Sequence, residues 1–289
     1  MKKILFGTAN FTAGYGVLKS RGYNDEKVSQ MFKILKKNKI QDIDTAISYK
    51  NVDKKLGKIN LNFFKIYSKL PKTPNEVKNI DLWIKRQIQT SLKKIKIKSF
   101  EGIFLHFPED LLNKKKNEIF NSLLDLKKKK KIKKIGLSLY DLDIMKNLDK
   151  NFKIDMIQVP YNIFDRSKKK RRYLKILMNK KIEIYARSIF LQGILLKNSK
   201  SLPRYFNRWR KKFNDFENWC DKNKILKVNA CINTILKDKL FNKIIISVSN
   251  MSQLNQILDS FKNKRLKKIP NRFQTCDKKL IDPRLWKIN

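Results

Sequence analysis

Short apolar runs recur along the chain, and stretches with helical spacing separate them. Most runs are apolar at nearly every position instead of alternating, which is typical of parallel strands covered on both faces. We predict eight strands, at residues 4–7, 42–45, 64–69, 102–106, 135–139, 156–160, 182–188 and 244–248.

The stretches between these runs have the periodicity of amphipathic helices. Apolar residues fall on one helical face in two clear cases: Val28, Met31, Phe32 and Leu35, and Ile84, Ile88 and Leu92. Strand and helix alternate eight times, which predicts an α/β fold, a (β/α)8 TIM barrel, with residues 1–289 as a single domain. A doubly wound sheet is the alternative. Because no GxGxxG follows the first strand, where the chain reads Gly7-Thr8-Ala9-Asn10, a Rossmann dinucleotide site is disfavoured.

The composition is globular but strongly basic. Hydrophobic residues make up 41% of the chain, and 69 Lys and Arg against 25 Asp and Glu give a net charge of +44. Such a charge would attract nucleic acid or other polyanions. The basic runs at 127–131 and 168–172 lie between apolar segments and carry no interleaved aromatic residues, so we interpret them as solvated surface. A nucleic-acid partner is therefore disfavoured, and a polyanion-binding protein on an inactive barrel is the alternative function.

Cysteine usage and hydropathy predict a cytoplasmic protein. Cys220, Cys231 and Cys276 have no CxxC spacing, so we expect free thiols and neither a metal site nor a disulfide framework. The opening residues resemble the start of a signal peptide, but Gly7 and Thr8 end the apolar run. No stretch approaches the roughly 18 apolar residues of a membrane span, so we expect no membrane association.

Polar side chains stand at the ends of three successive predicted strands. Asp44 ends the second, Lys69 the third and His106, the only histidine, the fourth, while Tyr49 follows Asp44 in a loop. In a parallel barrel these strand ends share one face, so the four side chains would converge. Each residue alone has an ordinary structural explanation; for His106 it is a satisfied structural histidine. Their joint order favours catalysis.

This set of side chains suits the protonation of an oxygen as a hydride arrives. An ammonium at Lys69 would stabilise the phenolate of Tyr49 and lower its pKa, ordinarily near 10, toward the working range. Asp44 would hold the lysine in place and keep it charged. His106 could donate a hydrogen bond to a substrate carbonyl oxygen and orient it.

At these residues the chain resembles the aldo-keto reductase family, in particular its bacterial members. The resemblance extends from about residue 5 to 261. It rests on these segments: Asp44-Thr45-Ala46 with Tyr49, Leu56-Gly57, Ser68-Lys69-Leu70, Leu105-His106, 134–138, 155–162, Ala186-Arg187-Ser188 with Leu191-Gln192-Gly193, and Val248-Ser249-Asn250 with Gln253-Leu254.

The resemblance implies an NAD(P)H-dependent oxidoreductase that reduces an aldehyde or ketone, with Tyr49 as general acid assisted by Asp44, Lys69 and His106. It implies a nicotinamide cofactor, usually NADPH, at the C-terminal mouth of the barrel. Ser138 and Gln158 match the family positions that hold the carboxamide. The blocks after strands seven and eight contribute four further cofactor positions: Ser188, Gly193, Ser249 and Gln253. Residues 188–193 are similar to members associated with sugar or surface-polysaccharide pathways, so a sugar-derived substrate is one expectation.

Two positions depart from the family pattern. Arg187 stands where many members stack a tyrosine on the nicotinamide, and Gln253 stands where many place an arginine on the 2′-phosphate. The resemblance implies NADPH. Because a neutral amide cannot form that charge-assisted pair, NADH stays an alternative cofactor. We expect substrate specificity to depend on residues 195–214 and on the tail near Trp286. The oligomeric state stays open.

Overall fold

Eight parallel strands close into one barrel in the computed structural model, which describes residues 2–14, 16, 20–262 and 269–288. Each strand pairs with the next along the chain, and the last pairs with the first. The strands are β1 (Ile4–Gly7), β2 (Asp42–Asp44), β3 (Lys65–Leu70), β4 (Gly102–Leu105), β5 (Ile135–Ser138), β6 (Met156–Pro160), β7 (Glu183–Arg187) and β8 (Lys243–Ile246). The predicted (β/α)8 barrel is confirmed, and the doubly wound alternative is wrong because the sheet has no open edge.

Helices surround the strands. They are α1 (Asp25–Lys37), α2 (Val52–Leu56), α3 (Ile80–Ile95), α4 (Lys116–Lys128), α5 (Ile144–Asn147), α6 (Lys168–Asn179), α7 (Arg210–Lys222), α8 (Lys227–Asp238), α9 (Met251–Lys262) and α10 (Lys278–Ile281). Short 3-10 turns connect them, at Ala9–Phe11, Pro108–Leu112, Ile194–Leu196, Ser199–Ser201, Arg204–Trp209, Asn271–Phe273 and Pro283–Leu285.

Local sequence signals explain where these helices form and which face they bury. At α1 the side chain of Asn24 accepts a hydrogen bond from the Lys27 amide, and Asp25 and Glu26 lie in the first turn, where the helix dipole favours negative charge. The predicted apolar stripes of α1 and α3 both face the barrel, and their members are buried: Val28, Met31, Phe32 and Leu35, and Ile84, Ile88 and Leu92.

Several predicted strands extend one or two residues beyond the observed ones. The difference arises because backbone pairing continues past the last regular residue. The amide of Thr45 donates to the Tyr67 carbonyl, and that of His106 donates to the Leu70 carbonyl. The residues that follow β2 and β4 are therefore held against the neighbouring strand, although the chain has begun to turn.

The side chains of each strand alternate between two cores. Inside the barrel a small cluster packs together: Leu5, Tyr67, Phe104, Met156 and Tyr185, with Ile245 against it. The alternate residues face the helices and belong to the large outer core. Gly102 and Gly136 make room for this interior cluster, because a β-carbon at Gly136 would lie 2.6 Å from both Met156 Cγ and Phe104 Cδ1.

Most residues of the two basic runs lie on the surface in helix ends and turns, but Lys170 is largely buried in an ion pair. Lys127 and Lys128 end α4, and residues 129–131 form the exposed turn that follows. Residues 168–172 begin α6, where the Nζ of Lys170 lies 2.6 Å from an oxygen of Asp165. No helix in the described part of the chain has both the length and the apolar character that a membrane span requires.

Candidate active site

All ten residues singled out from the sequence line one cavity of about 420 Å³ at the C-terminal ends of the strands. They are Asp44, Tyr49, Lys69, His106, Ser138, Gln158, Ser188, Gly193, Ser249 and Gln253. The period of two along each strand accounts for several of these positions. Lys69, His106 and Gln158 each lie two residues after a member of the interior cluster, so they point to the same side and form the next layer above it.

Lys69 and Asp44 form a buried ion pair in this layer. The Nζ of Lys69 donates to both carboxylate oxygens of Asp44, each at 2.6 Å, and to the backbone carbonyl of Thr45 at 3.0 Å. Lys69 is 3% exposed and Asp44 is 4% exposed. Burial lowers the pKa of Lys69, the Asp44 carboxylate opposes that shift, and the charge of Arg187 adds to it.

Tyr49 lies beside this ion pair because the chain turns tightly after β2. The amide of Ile47 donates to the Lys69 carbonyl at 3.1 Å, and the amide of Tyr49 donates to the Ala46 carbonyl at 2.9 Å. The Nζ of Lys69 lies 5.8 Å from the centroid of the Tyr49 ring. A buried cation next to a phenol on a cavity wall is the arrangement that stabilises a phenolate.

His106 is held as a neutral imidazole. Burial, with a smaller contribution from the positive charges of Lys69 and Arg187, lowers its pKa to about 3. Its Nδ1 atom is buried and has no hydrogen-bond partner among the described residues. A neutral imidazole on the cavity wall can donate one hydrogen bond to a bound oxygen without carrying a charge.

Gln158 connects the ion pair to the rest of the cavity. Its Nε2 donates to Asp44 Oδ1 at 2.7 Å across the barrel, while its Oε1 is buried and accepts no hydrogen bond from the described residues. The sequence predicted only a contact with a carboxamide and missed the bond to Asp44. A buried, unused acceptor beside Ser138 fits the amide hydrogens of a nicotinamide carboxamide.

The segments after β7 and β8, which the family resemblance assigns to cofactor binding, form turns along the cavity. Ser188 and Gly193 have φ of 54° and 85°, a left-handed backbone that turns the loop along the cavity. The Oε1 of Gln253 accepts a hydrogen bond from the Ser249 amide at 2.8 Å, and the Gln253 amide donates to Asn250 Oδ1 at 2.9 Å. Part of the Gln253 side chain thus stabilises the start of α9 itself.

Arg187, Ser247 and Tyr140 also line the cavity. Sequence reasoning noted Arg187 only as a departure from the family pattern and named neither of the other two. The signal was present for two of them. Arg187 and Ser247 lie two residues after Tyr185 and Ile245, which face the barrel interior, so the period of two places both in the layer of Lys69 and His106.

The aromatic residues of the 195–214 segment pack against the C-terminal tail. Phe206 is buried and its ring centroid lies 4.9 Å from that of Trp286. The hydroxyl of Tyr205 donates to the Lys279 carbonyl at 2.8 Å, and the indole of Trp209 donates to Asp277 at 2.9 Å. In the described part of the chain, only Leu196 and Lys197 of this segment line the cavity. The aromatic side chains of this segment therefore pack on the tail, while its first residues reach the cavity.

Comparison with known proteins agrees with this geometry. The sequence profile of the Aldo/keto reductase family matches residues 3–280. No curated protein matches the sequence.

Solved structures of similar fold include an aldo-keto reductase of Bacillus halodurans, AKR11C1 in its holo form, with 16% identity, a TM-score of 0.74 and coverage of 99% of this chain and 94% of that one. An aldo-keto reductase of Pseudomonas aeruginosa is 16% identical, with a TM-score of 0.65 and 89% of each chain covered. The thermostable aldo-keto reductase Tm1743, solved with the inhibitor epalrestat, is 19% identical, with a TM-score of 0.67 and 90% of each chain covered. At such identities these likenesses establish the fold, and the profile match establishes the family. This chain belongs to the aldo/keto reductase family of carbonyl-reducing oxidoreductases.

Proposed function

We propose that this protein is an NAD(P)H-dependent reductase that converts an aldehyde or ketone to an alcohol, with Tyr49 as the general acid. One observation carries the proposal. The ammonium of Lys69 is fixed by both oxygens of Asp44, each at 2.6 Å, and lies beside the Tyr49 ring on a cavity wall.

Each residue of the set has a distinct part in this proposal. Tyr49 donates its hydroxyl proton to the carbonyl oxygen of the substrate, and the positive charge of Lys69 stabilises the phenolate that remains. Asp44 keeps that ammonium charged within a buried layer. His106, neutral because of its low pKa, donates a hydrogen bond that orients the same carbonyl oxygen.

A nicotinamide cofactor, when bound, supplies the hydride. Ser138 and the unused Oε1 of Gln158 would hold its carboxamide. The turns after β7 and β8 would hold its phosphates and ribose: Ser188, Gly193, Ser249 and Gln253. We propose NADPH as the preferred cofactor, as the family resemblance implies, and NADH as the second, because Gln253 offers no cation for a 2′-phosphate. Sugar-derived carbonyl compounds are among the candidate substrates.

Replacing the phenol tests the proposal directly. Tyr49→Phe should reduce the rate of NADPH oxidation with simple aldehydes by about a factor of 100 to 10,000, the usual effect of losing a general acid. Titration of NADPH fluorescence should show nearly unchanged cofactor affinity. Tyr173→Phe is the matched control, because Tyr173 lies on α6 outside the residues that line the cavity. If Tyr49→Phe reduces aldehydes as fast as the parent, Tyr49 is not the acid.

The alternative function, polyanion binding by an inactive barrel, makes a different prediction. Binding to DNA or heparin would weaken steeply with salt and would not depend on Tyr49 or His106. The same Tyr49→Phe preparation, titrated with DNA at two salt concentrations, separates the two functions. A cytoplasmic location and a single domain over residues 1–289 stay predictions from the sequence.

A further inference from the structure

Arg187 brings a positive charge into the end of the cavity that holds Tyr49, Lys69 and His106, which we call the reactive end. It is the last residue of β7 and lies two residues after Tyr185, which packs inside the barrel. Its charge is close enough to His106 and Lys69 to lower the pKa of both side chains. The guanidinium therefore faces the same space as the proposed catalytic groups.

No carboxylate of the described residues forms an ion pair with Arg187. Its one hydrogen bond within the described structure runs from Nη2 to the backbone carbonyl of Leu139, at 3.3 Å, and its Nε is buried with no acceptor. Asp165, whose pKa is sensitive to the charge of Arg187, is itself paired with Lys170 at 2.6 Å. A buried guanidinium nitrogen with no acceptor is costly unless a ligand completes its hydrogen bonds.

The charges around the reactive end leave one positive charge in excess. The charge of Lys69 is offset by Asp44, and His106 is neutral, so Arg187 is not balanced. Its guanidinium is held in place by stacking. The Cζ of Arg187 lies 4.0 Å from the Tyr140 ring centroid, and the Cζ of Arg284 lies 3.8 Å from the same centroid. Arg284 is in turn fixed by hydrogen bonds to both carboxylate oxygens of Asp282.

We propose that Arg187 binds an anionic group of the substrate, so that the enzyme prefers carbonyl compounds that carry a carboxylate or a phosphate. A guanidinium presents paired N–H donors that match either group, and a partly dehydrated site strengthens the contact. The proposal rests on the proposed reductase function, and it names a specificity residue for that reaction.

Matched pairs of substrates test this preference. Succinic semialdehyde is compared with butanal, and glyceraldehyde phosphate with glyceraldehyde, in NADPH-dependent reduction. The wild-type protein should have a lower KM for the charged member of at least one pair. In Arg187→Gln the charged-to-neutral ratio of kcat/KM should fall about tenfold to a hundredfold, mainly through KM, as expected for losing charge-assisted hydrogen bonds. The pair that shows the larger Arg187-dependent ratio identifies the anionic group.

Two further variants make the result specific. Arg187→Lys keeps the charge and should retain part of the preference, even if the glutamine variant is poorly folded. Arg86→Gln removes the same charge from an exposed position on α3 and should leave the ratio unchanged. Equal kcat/KM for charged and neutral substrates in the wild type overturns the proposal. So does a preference that survives in Arg187→Gln, or one that Arg86→Gln removes equally.

A binding measurement decides the case if the protein reduces no carbonyl compound. Succinate is titrated calorimetrically into the wild type and Arg187→Gln at low ionic strength. Loss of binding in the variant supports an anion site at Arg187 while the proposed reductase function fails. Equal binding by both proteins overturns the site itself.

Discussion

The ammonium nitrogen of Lys69 lies 2.6 Å from both carboxylate oxygens of Asp44, and both side chains are almost fully buried. Removing one partner of such a pair leaves the other as an uncompensated buried charge, which costs about 3–5 kcal/mol. The charge of Lys69 in the folded protein therefore depends on Asp44. Asp44 acts on the proposed chemistry through the lysine.

Replacing this carboxylate should change the pH dependence of the reaction. In Asp44→Asn the pKa of Lys69 loses the contribution that opposes burial, so the pKa falls further and the ammonium deprotonates at lower pH. The basic limb of the kcat/KM profile should move to lower pH, and activity at neutral pH should fall about a hundredfold or more.

Asp42→Asn is the matched control for this prediction. Asp42 lies two residues earlier on the same strand, is also buried, and pairs with Lys243 at 2.5 Å. Its replacement should lower the melting temperature but leave the basic limb in place. An unchanged limb in Asp44→Asn would show that Lys69 keeps its charge without Asp44.

The imidazole of His106 should not titrate in the physiological range. Its folded pKa of about 3 lies below the ordinary value of 6.5, so the folded protein resists protonation and the unfolded chain does not. The stability that this difference contributes is complete above pH 6.5 and is lost as the pH falls toward 3. The loss reaches about 3 kcal/mol at pH 4.

NMR can check this directly, because His106 is the only histidine. The imidazole carbon–proton signals should stay constant between pH 8 and pH 5. In parallel, urea unfolding should show that His106→Gln loses less stability than the wild type between pH 6.5 and pH 4. A midpoint near pH 6.5 in the NMR titration would mean that the imidazole is solvated, and the assignment of His106 as a neutral donor would fail.

Gln158 should contribute to cofactor binding and to the placement of Asp44. Gln158→Leu removes both the unused Oε1 and the donor to Asp44 Oδ1. We expect NADPH to bind about tenfold more weakly, since one hydrogen bond in a buried site contributes roughly 1–2 kcal/mol.

Gln30→Leu provides the comparison for Gln158, because Gln30 is exposed on α1, donates to the exposed Glu26 and lies outside the residues that line the cavity. Fluorescence titration with NADPH measures the cofactor affinity of the wild type and of both variants. Equal affinity in Gln158→Leu and the wild type would exclude a role for the amide in holding the carboxamide.

Two glycines inside the barrel should differ in what they tolerate. A β-carbon at Gly136 would lie 2.8 Å from the backbone oxygen of Met156, in addition to its contacts with the Met156 and Phe104 side chains. At Gly102 it would meet chiefly the flexible end of the Met156 side chain, at 2.2 Å from Cε. Overpacking of a core costs about 1–3 kcal/mol, and methionine adapts more easily than backbone.

Gly136→Ala should therefore lose more stability than Gly102→Ala in chemical denaturation. The two variants make the same chemical change in the same interior cluster, so each is the other's control. Equal losses would mean that the backbone around Met156 moves as readily as its side chain.

The fold could be predicted from the sequence because each strand of the barrel corresponds to a local pattern, a short run of apolar residues. Stretches of helical spacing separate the eight runs, so the alternation could be found without any long-range contact. The positions of Asp44, Lys69 and His106 were predictable for the same reason, since each ends a strand and parallel strands end on one face.

The contacts between distant strands could not be predicted in this way. Gln158 and Asp44 are 114 residues apart, and their hydrogen bond depends on how β2 and β6 face each other across the barrel. The stack of Arg187, Tyr140 and Arg284 joins β7, the loop after β5 and the C-terminal tail. Whether the aromatic residues near position 206 pack on the tail or line the cavity is also a long-range contact, which local periodicity does not specify.

The buried layer above the interior cluster also separates the chemistry from the unusual composition of the surface. Ions in solution screen exposed lysines beyond about 8 Å at physiological salt, whereas Lys69 and Asp44 are almost fully buried and their interaction is screened much less. Lysines can therefore accumulate on the helices over evolutionary time with little effect on proton transfer. The field at the reactive end depends chiefly on three charged side chains, Asp44, Lys69 and Arg187, while the charges on the outer surface govern solubility and encounters with other molecules.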